Sequence, residues 1–178
     1  LVQAKLNHPN IARLLDMGRD ESGPFLVFEY IPGTDLDEVL GRCAKEGHGL
    51  TLLQTLAVAK GLLAAIASAH QARGDGGASL AIVHRDISPG NVLVSETGVL
   101  KLIDFGVASS VLRSDHTVAG EIKGKFSYMS PEQTRGEVVD DKSDVFAAGS
   151  VLHECLSGVR LFDGPTDVDV VHAVRERV

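Results

Sequence analysis

Three oxygen-bearing side chains, carried by one loop and one strand end, constrain this chain more than any other feature of its sequence. Asp86 and Asn91 lie five residues apart on a loop, and Asp104 follows the short strand-like run 100–103. Oxygen ligands of this kind suit Mg²⁺, which keeps water and substrate phosphates in its coordination shell. The spacing therefore indicates a fold in which the loop and the strand end converge on magnesium and a hydroxyl nucleophile.

The composition argues against several other classes of protein. Lys and Arg number 17 against 24 Asp and Glu, a formal net charge of −7, so nucleic acid is not an expected partner because phosphate binding needs excess cations. An apolar share of 44% and a length of 178 residues fit a globular chain with one sizeable core. Cys43 and Cys155 lack the spacing of a disulfide framework or a metal site, which favours a reducing, cytoplasmic compartment.

No segment has the pattern of a targeting or membrane-spanning sequence. Residues 1–5 lack the basic stretch and apolar run of a signal peptide. The most apolar stretch, 52–69, is interrupted by Gln54 and Lys60, so we expect it to be too polar to cross a bilayer. We therefore expect no membrane contact from this part of the chain.

Short apolar runs between turn residues predict the strands. Two of them, 11–17 and 25–30, flank a turn and form a hairpin, which is marginal without further strands beside it. Three more strands are predicted at 81–83, 92–95 and 99–103, the last two joined by a tight turn.

Apolar spacing and capping residues predict the helices. Thr34 and Asp37 have the spacing of a capping box for a helix that ends at Lys45, and Thr166 with Asp169 begins a last helix. A long helix has one apolar face made of Leu52, Leu56, Ala59, Leu63, Ile66 and His70. A second buried helix, which Gly158 ends, has a face made of Val145, Gly149, Leu152 and Leu156.

Further motifs occur in a fixed order around the three oxygen-bearing residues. The loop stretch 83–94 is followed by Asp104-Phe105-Gly106, then by 126–132 and 143–149, and it is preceded by 6–11 and 28–33. In wording and order these motifs resemble the protein kinase superfamily, most of all the bacterial serine/threonine protein kinase type. The resemblance covers almost the whole chain. It implies an α+β, protein-kinase-like fold, with a mainly helical C-terminal lobe at 31–178 and a remnant β-hairpin of the N-terminal lobe at 1–30.

The resemblance implies a reaction and a role for each of the three residues. Asp86 would accept or orient the proton of the substrate hydroxyl, Asn91 would bind one Mg²⁺, and Asp104 would bind another that bridges the ATP phosphates. The cofactors are then ATP and Mg²⁺, and the partner is a protein substrate with a Ser or Thr acceptor. A Tyr acceptor is less expected, because the loop lacks the Ala- and Arg-rich wording of tyrosine kinases.

Other residues receive binding or structural roles from the same resemblance. At the hinge, the backbones of Glu29 and Ile31 would meet adenine, Phe28 would be the gatekeeper, and Asp35 would reach the ribose, although Asp35 equally fits the first residue of a helix. The residues expected to be structural are His84, Phe105, Gly106, Glu132 and Asp144. Of these, Asp144 would be a buried carboxylate that accepts backbone N–H groups of the loop, and Glu132 would pair with an arginine beyond residue 178.

Two departures from the family pattern stand out. The glycine-rich loop, the phosphate-binding lysine and its glutamate partner would precede Leu1, so we expect residues 1–178 by themselves to be inactive. Serine/threonine kinases usually carry Lys where this chain has Ser88 and Thr where it has Lys125. Because those two positions meet across the catalytic Asp in the family, Lys125 is predicted to supply the cation near Asp86. The alternative is a solvated lysine on a mobile loop.

The activation segment adds a second charge prediction. Arg85 is the arginine that in many kinases binds a phosphothreonine, and Glu121 occupies the position where that threonine is often found. A carboxylate at Glu121 would pair with Arg85 without modification, though more weakly than phosphate, or would simply be solvated. Thr117 is the expected phosphosite.

Two alternative functions remain after the motifs are compared. A pseudokinase or regulatory binding module would use the same fold without phosphoryl transfer, but Asp86, Asn91 and Asp104 are all present. Small-molecule phosphotransferases share the spacing from Asp86 to Asn91 but usually lack the Arg85 and Phe105-Gly106 pattern. A protein serine/threonine kinase is the function the sequence favours.

Overall fold

A β-hairpin comes first in the computed structural model, which describes residues 5–105 and 124–176. Strands β1 (Leu14–Asp20) and β2 (Gly23–Phe28) pair in antiparallel fashion around a two-residue turn. The sequence predicts this hairpin, but β1 begins later than expected because Ile11 forms a bridge with Leu102 instead. The hairpin exposes large apolar side chains on both of its faces, namely Leu15, Met17, Phe25 and Val27. Within the described residues no further strand pairs with it.

A second sheet links the hinge to the loop that carries the candidate site. It consists of β3 (Gly33–Asp35), β4 (Val92–Ser95) and β5 (Leu100–Leu102), antiparallel and in that order. The turn between β4 and β5 is the one predicted from the sequence. The segment 81–83, expected as a strand, is not one: Ala81 has a positive φ of 44°, which breaks the extended run before it can pair.

Helix α1 (Leu36–Lys45) follows β3 without a connecting loop. Its N-cap is Asp35, whose Oδ1 accepts the Glu38 N–H at 2.8 Å. The prediction that Thr34 caps this helix was wrong by one residue, since the cap is Asp35, the last residue of β3, whose backbone is still extended. The predicted end of the helix at Lys45 is confirmed.

Two long helices, α2 (Leu52–His70) and α4 (Asp141–Ser157), form the centre of the core. A capping box of Thr51 and Gln54 begins α2, and Gly158, with φ of 74°, ends α4 as predicted. Side chains of both helices and of β5 meet in the interior, where Leu62, Val151 and Leu102 are fully buried. The short α3 (Pro131–Arg135) and the last helix α5 (Asp167–Glu176) complete the described fold, and α5 has the predicted capping box of Thr166 and Asp169.

The buried faces of α2 and α4 are not the predicted ones. Leu52, Leu56 and Leu63 are about half exposed or more, and so are Val145 and Leu156. Ile66 and Leu152 of the predicted faces do contact the core, but the other buried positions differ, and they include Gly61, Leu62, Ala65 and Ala69 of α2 and Ala147, Ala148 and Val151 of α4. The physical reason is close packing: a Cβ at Gly61 would lie 3.0 Å from the Cβ of Leu100 in β5.

Helix α2 is also long and apolar enough to cross a membrane, with a mean hydropathy of 1.6 over its most apolar window. The expectation that Gln54 and Lys60 make it too polar was therefore wrong on composition. Residues on one side of the helix are buried against α4 and β5 within the chain. Burial in the core accounts for part of its apolar composition, whereas Leu52, Leu53, Leu56 and Leu63 are exposed.

A pair of leucines on α2 tests which face is buried. Leu62→Ala is expected to lower the free energy of unfolding by about 2–5 kcal/mol, because Leu62 has no exposed surface and its loss leaves a cavity. Leu53→Ala on the same helix, where the side chain is 80% exposed, is expected to change it by less than about 0.5 kcal/mol. Urea denaturation of both variants measures the difference, and equal losses would contradict the described orientation of the helix.

Candidate active site

A buried carboxylate on α4 holds the loop that carries the candidate site. Asp144 is 1% exposed and accepts three hydrogen bonds, from the His84 N–H at 2.8 Å, the Arg85 N–H at 2.9 Å and the His70 ring at 2.8 Å. The contact with the loop backbone is the one the kinase resemblance implies. Because a buried carboxylate without donors would be costly, the helix and the loop are fixed to each other.

His84 connects the loop to the end of β5. Its ring is fully buried, its Nε2–H donates to the Ile103 carbonyl at 2.8 Å, and its Nδ1 accepts the Asp86 N–H at 3.2 Å. Burial lowers the pKa of His84, in agreement with a neutral ring that accepts at one nitrogen. The Phe105 ring packs against it with centroids 4.6 Å apart. Both side chains thus lie in the interior, as the sequence predicts.

The backbone at Arg85 takes a conformation that few side chains adopt. Its φ is 68°, which costs of the order of 1–3 kcal/mol for a residue other than glycine. Asp144 holds its N–H, and Gln133 Nε2 donates to its carbonyl at 2.8 Å. The strained residue is therefore clamped from α4 on one side and α3 on the other, immediately before Asp86.

Asp86 and Asn91 are in direct contact. The Asn91 Nδ2 donates to the Asp86 carbonyl at 2.6 Å and to Asp86 Oδ2 at 3.1 Å. The backbone of Asn91 also accepts the Ile103 N–H at 3.0 Å, which ties the end of the loop to β5. In this orientation the Asn91 Oδ1 has no protein donor among the described residues and is left for a cation.

Asp104 lies where β5 ends and its side chain is exposed. Its φ of 61° turns the chain sharply after Ile103. Within residues 5–105 and 124–176 no three His, Cys, Asp or Glu side chains cluster as a metal site. A cation held by Asp104 and Asn91 would therefore complete its shell with phosphate and water oxygens, which is the ligand set that Mg²⁺ prefers.

Ser88 and Lys125, the two positions that depart from the family pattern, line the same cleft next to Asp86. Lys125 Nζ is 2.6 Å from Asp86 Oδ2, and the two side chains are 42% and 40% exposed. Ser88 is buried and makes no side-chain capping bond at the start of its 3₁₀ turn. A half-exposed pair of this kind adds at most about 1 kcal/mol to stability. Its main consequence is that a positive charge lies beside Asp86.

The hinge residues occupy the end of β2 and the segment after it. The Glu29 N–H is already bonded to the Arg13 carbonyl at 3.0 Å, which leaves the Glu29 carbonyl for a nucleotide. Its side chain accepts from Lys101 Nζ at 2.6 Å and from the Arg13 N–H at 2.8 Å. Phe28 and Ile31 are half-buried on either side, and Asp35 acts as the helix cap described above, with one carboxylate oxygen engaged.

Four of the predicted residues either lie outside the described residues or have a partner other than the expected one. Gly106, Thr117 and Glu121 are outside the described residues, so the predicted pairing of Arg85 with Glu121 has no structural description. Glu132, expected to pair with a distant arginine, accepts a hydrogen bond from the Ser143 hydroxyl.

Sequence reasoning missed the residues that support the loop from outside. Gln133 was available as a signal, because Ser130 and Gln133 have the spacing of a capping box, and both of its bonds are present at the start of α3. His70 and Lys101 carried no such signal, since their partners Asp144 and Glu29 lie 74 and 72 residues away in sequence.

The fold and the arrangement of Asp86, Asn91 and Asp104 agree with the kinase resemblance, and comparison with known proteins gives the family. The model of the protein kinase domain family matches residues 1–178. The chain is 37% identical over 171 residues to the tyrosine-protein kinase MasK of Myxococcus xanthus, which covers 96% of this chain and 26% of MasK. It is 35% identical over 167 residues to the serine/threonine-protein kinase PrkC of Bacillus subtilis, covering 94% of this chain and 24% of PrkC.

A third relative, the probable serine/threonine-protein kinase PknB of Bifidobacterium longum, is 36% identical over 180 residues, or 95% of this chain and 24% of that protein. The chain thus spans about a quarter of the length of these three relatives. It belongs to the protein kinase superfamily and is of the bacterial serine/threonine kinase type. The predicted kinase-like α+β fold is confirmed, and the family as a whole uses ATP and a divalent metal.

Proposed function

We propose that this chain forms the catalytic part of a protein kinase that transfers the γ-phosphoryl group of Mg·ATP to a Ser or Thr hydroxyl of a protein. The observation that carries the proposal is the state of Asp86. Its backbone is fixed by His84, and one carboxylate oxygen is held by Asn91 and Lys125. Its other oxygen, Oδ1, has no protein donor among the described residues and is free to accept the proton of an acceptor hydroxyl.

The donors that would hold the metal fit this chemistry. Asp104 presents a carboxylate that none of the described residues engages, and Asn91 offers its amide oxygen. ATP brings several negative oxygens together, and divalent cations held by fixed oxygen ligands would neutralise and align them. Asn91 accepts the Ile103 N–H through its own carbonyl, and Asp104 is the residue after Ile103. One backbone hydrogen bond thus connects the two candidate metal ligands.

Lys125 supplies the cation that position 88 of the loop does not. Position 88 carries Ser, and the ammonium arrives instead from the turn after Gly124. At 2.6 Å from Asp86 Oδ2, the Lys125 ammonium pairs with the Asp86 carboxylate and lies where an incoming γ-phosphate would need a positive charge.

The proposal that the acceptor is Ser or Thr and not Tyr rests on the amino-acid sequence of the loop around Asp86, and it can be tested directly. PrkC and PknB are named serine/threonine kinases, whereas MasK is named a tyrosine kinase. The full-length protein incubated with γ-labelled ATP, Mg²⁺ and mixed protein acceptors is expected to form phosphoserine or phosphothreonine. Label found only in phosphotyrosine would contradict the Ser/Thr assignment, and no label on any acceptor would favour the pseudokinase alternative.

Asn substitutions at two carboxylates separate metal binding from acceptor activation. In the full-length protein, Asp104→Asn is expected to abolish Mg·ATP-dependent transfer because a metal ligand is lost. Asp86→Asn is expected to lower kcat by 10²-fold or more, on the order expected for a general base, while ATP affinity stays within about twofold. Steady-state kinetics and ATP binding titrations measure the two effects, with Asp16→Asn on the exposed hairpin as the matched control. An equal loss of ATP affinity in Asp86→Asn would refute this division of roles.

A double-mutant cycle tests the exchanged pair. Lys125→Thr is expected to lower kcat strongly, and Ser88→Lys with Lys125→Thr to recover much of it, because the second lysine restores the cation from the other side of Asp86. The readout is kcat in the full-length protein for the four members of the cycle. Additive losses would leave Lys125 as a surface lysine with no catalytic part.

A further inference from the structure

The turn that presents Lys125 has weak internal support. It is a single 3₁₀ turn, Lys125–Tyr128, preceded by Gly124 at a φ of 106°. The backbone hydrogen bonds at its two ends, from the Ser127 N–H to the Gly124 carbonyl and from the Met129 N–H to the Phe126 carbonyl, are both long at 3.3 Å. Since 3₁₀ bonds have poor geometry, contacts from outside the turn must hold it in place.

The end of the turn is fixed by a buried pair. The Tyr128 hydroxyl donates to Glu154 Oε2 in the last turns of α4, and both residues are less than a tenth exposed. Burial raises the pKa of Glu154, although the Tyr128 donor and the nearby Arg160 charge lower it. The acceptor of Tyr128 is thus a carboxylate with a partly compensated charge.

The start of the turn is covered by Arg160. The side chain leaves the chain two residues after Gly158, the glycine that ends α4. A Cβ built on Gly124 would lie 3.0, 3.1 and 3.3 Å from the Nη1, Nη2 and Cζ atoms of Arg160. Both nitrogens are nearer than Cζ, so the guanidinium directs its Nη end toward Gly124. The Nε of the same group is 3.9 Å from Glu154 Oε1, so one side chain contacts the start of the turn and the residue that holds its end.

We propose that Arg160 is a positioning residue for phosphoryl transfer, which clamps the turn Lys125–Tyr128 between Gly124 and Glu154 and thereby holds Lys125 on Asp86. The proposal rests on the function proposed above. Arg160 reaches neither Asp86 nor the metal ligands and acts through Lys125. An ion pair at 3.9 Å with a side chain 36% exposed adds little to global stability, so the effect of Arg160 is expected in turnover rather than in folding.

A direct alternative is contact with the substrate. Arg160 also borders a cleft of about 170 Å³ with Asp37, Ser88, Gly90 and Lys125, beside the proposed acceptor position. A residue that binds substrate there would change KM for the protein acceptor, whereas a residue that positions Lys125 changes kcat. The two roles therefore differ in a measurable way.

The test uses the full-length kinase and four variants: Arg160→Ala, Arg160→Lys, Lys125→Thr and the double variant Arg160→Ala with Lys125→Thr. Arg160→Ala is expected to lower kcat by about 10–100-fold with KM for ATP and acceptor within twofold, as for a misplaced catalytic group. Arg160→Lys keeps the charge beside Glu154 but loses the two Nη atoms beside Gly124. Its kcat is therefore expected to lie between those of wild type and Arg160→Ala. Arg42→Ala, an exposed arginine on α1, is the control and should match wild type.

Two further results decide the proposal, one from the reactivity of Lys125 and one from kcat of the double variant. The acylation rate of Lys125 by a water-soluble succinimidyl ester, followed by mass spectrometry, is expected to rise severalfold in Arg160→Ala because the ammonium leaves Asp86. In the Lys125→Thr background, Arg160→Ala should cause no further loss. An unchanged acylation rate, a further loss in the double variant, or a change confined to acceptor KM would overturn the positioning role. If Lys125→Thr itself were fully active, the proposed catalytic function of Lys125 would fail instead.

Discussion

The rest of this structure depends on the buried carboxylate of Asp144. It lies in the first turn of α4, at the centre of the core, and its oxygens accept the N–H groups of His84 and Arg85. Hydrogen bonds to a charged acceptor contribute about 1.5–3 kcal/mol each, enough to offset the strained φ of Arg85. Asp86 follows these two amides directly, and Asn91 lies five residues further along the same loop.

The site is a set of links that converge on Asp86 from three directions. His84 and Ile103 join the loop to β5 and so to Asp104, Asn91 joins the loop to the carboxylate itself, and Lys125 arrives from the turn before α3. The last link joins a loop to a segment with weak internal bonds. The cation at Asp86 is therefore the part of the site that is most sensitive to its surroundings, whereas the loop and β5 are held by the core.

Local signals were sufficient for much of the fold. The capping box of Thr166 and Asp169 predicted the start of α5, and the glycine after α4 predicted the end of that helix. The order of the motifs predicted the kinase fold and the residues that meet at Asp86. The prediction of which faces of α2 and α4 are buried was largely wrong, because both helices carry leucine or valine on the side away from the core. Only the close approach of β5 to Gly61 shows that small residues face inward. No local pattern reveals His70 or Lys101, because their partners are distant in sequence. The same holds for Arg160, which lies beside Gly124, 36 residues earlier in the chain.

Amide hydrogen exchange at His84 and Arg85 tests most directly whether Asp144 organises the site. The measurement compares wild type with Asp144→Asn, using the amides of β4 and β5 as an internal reference for the folded state. Asn removes the charge and one of the two acceptor oxygens, so at least one of the two loop amides is expected to exchange much faster while the strands stay protected. Wild-type exchange rates at both amides in Asp144→Asn would contradict the account.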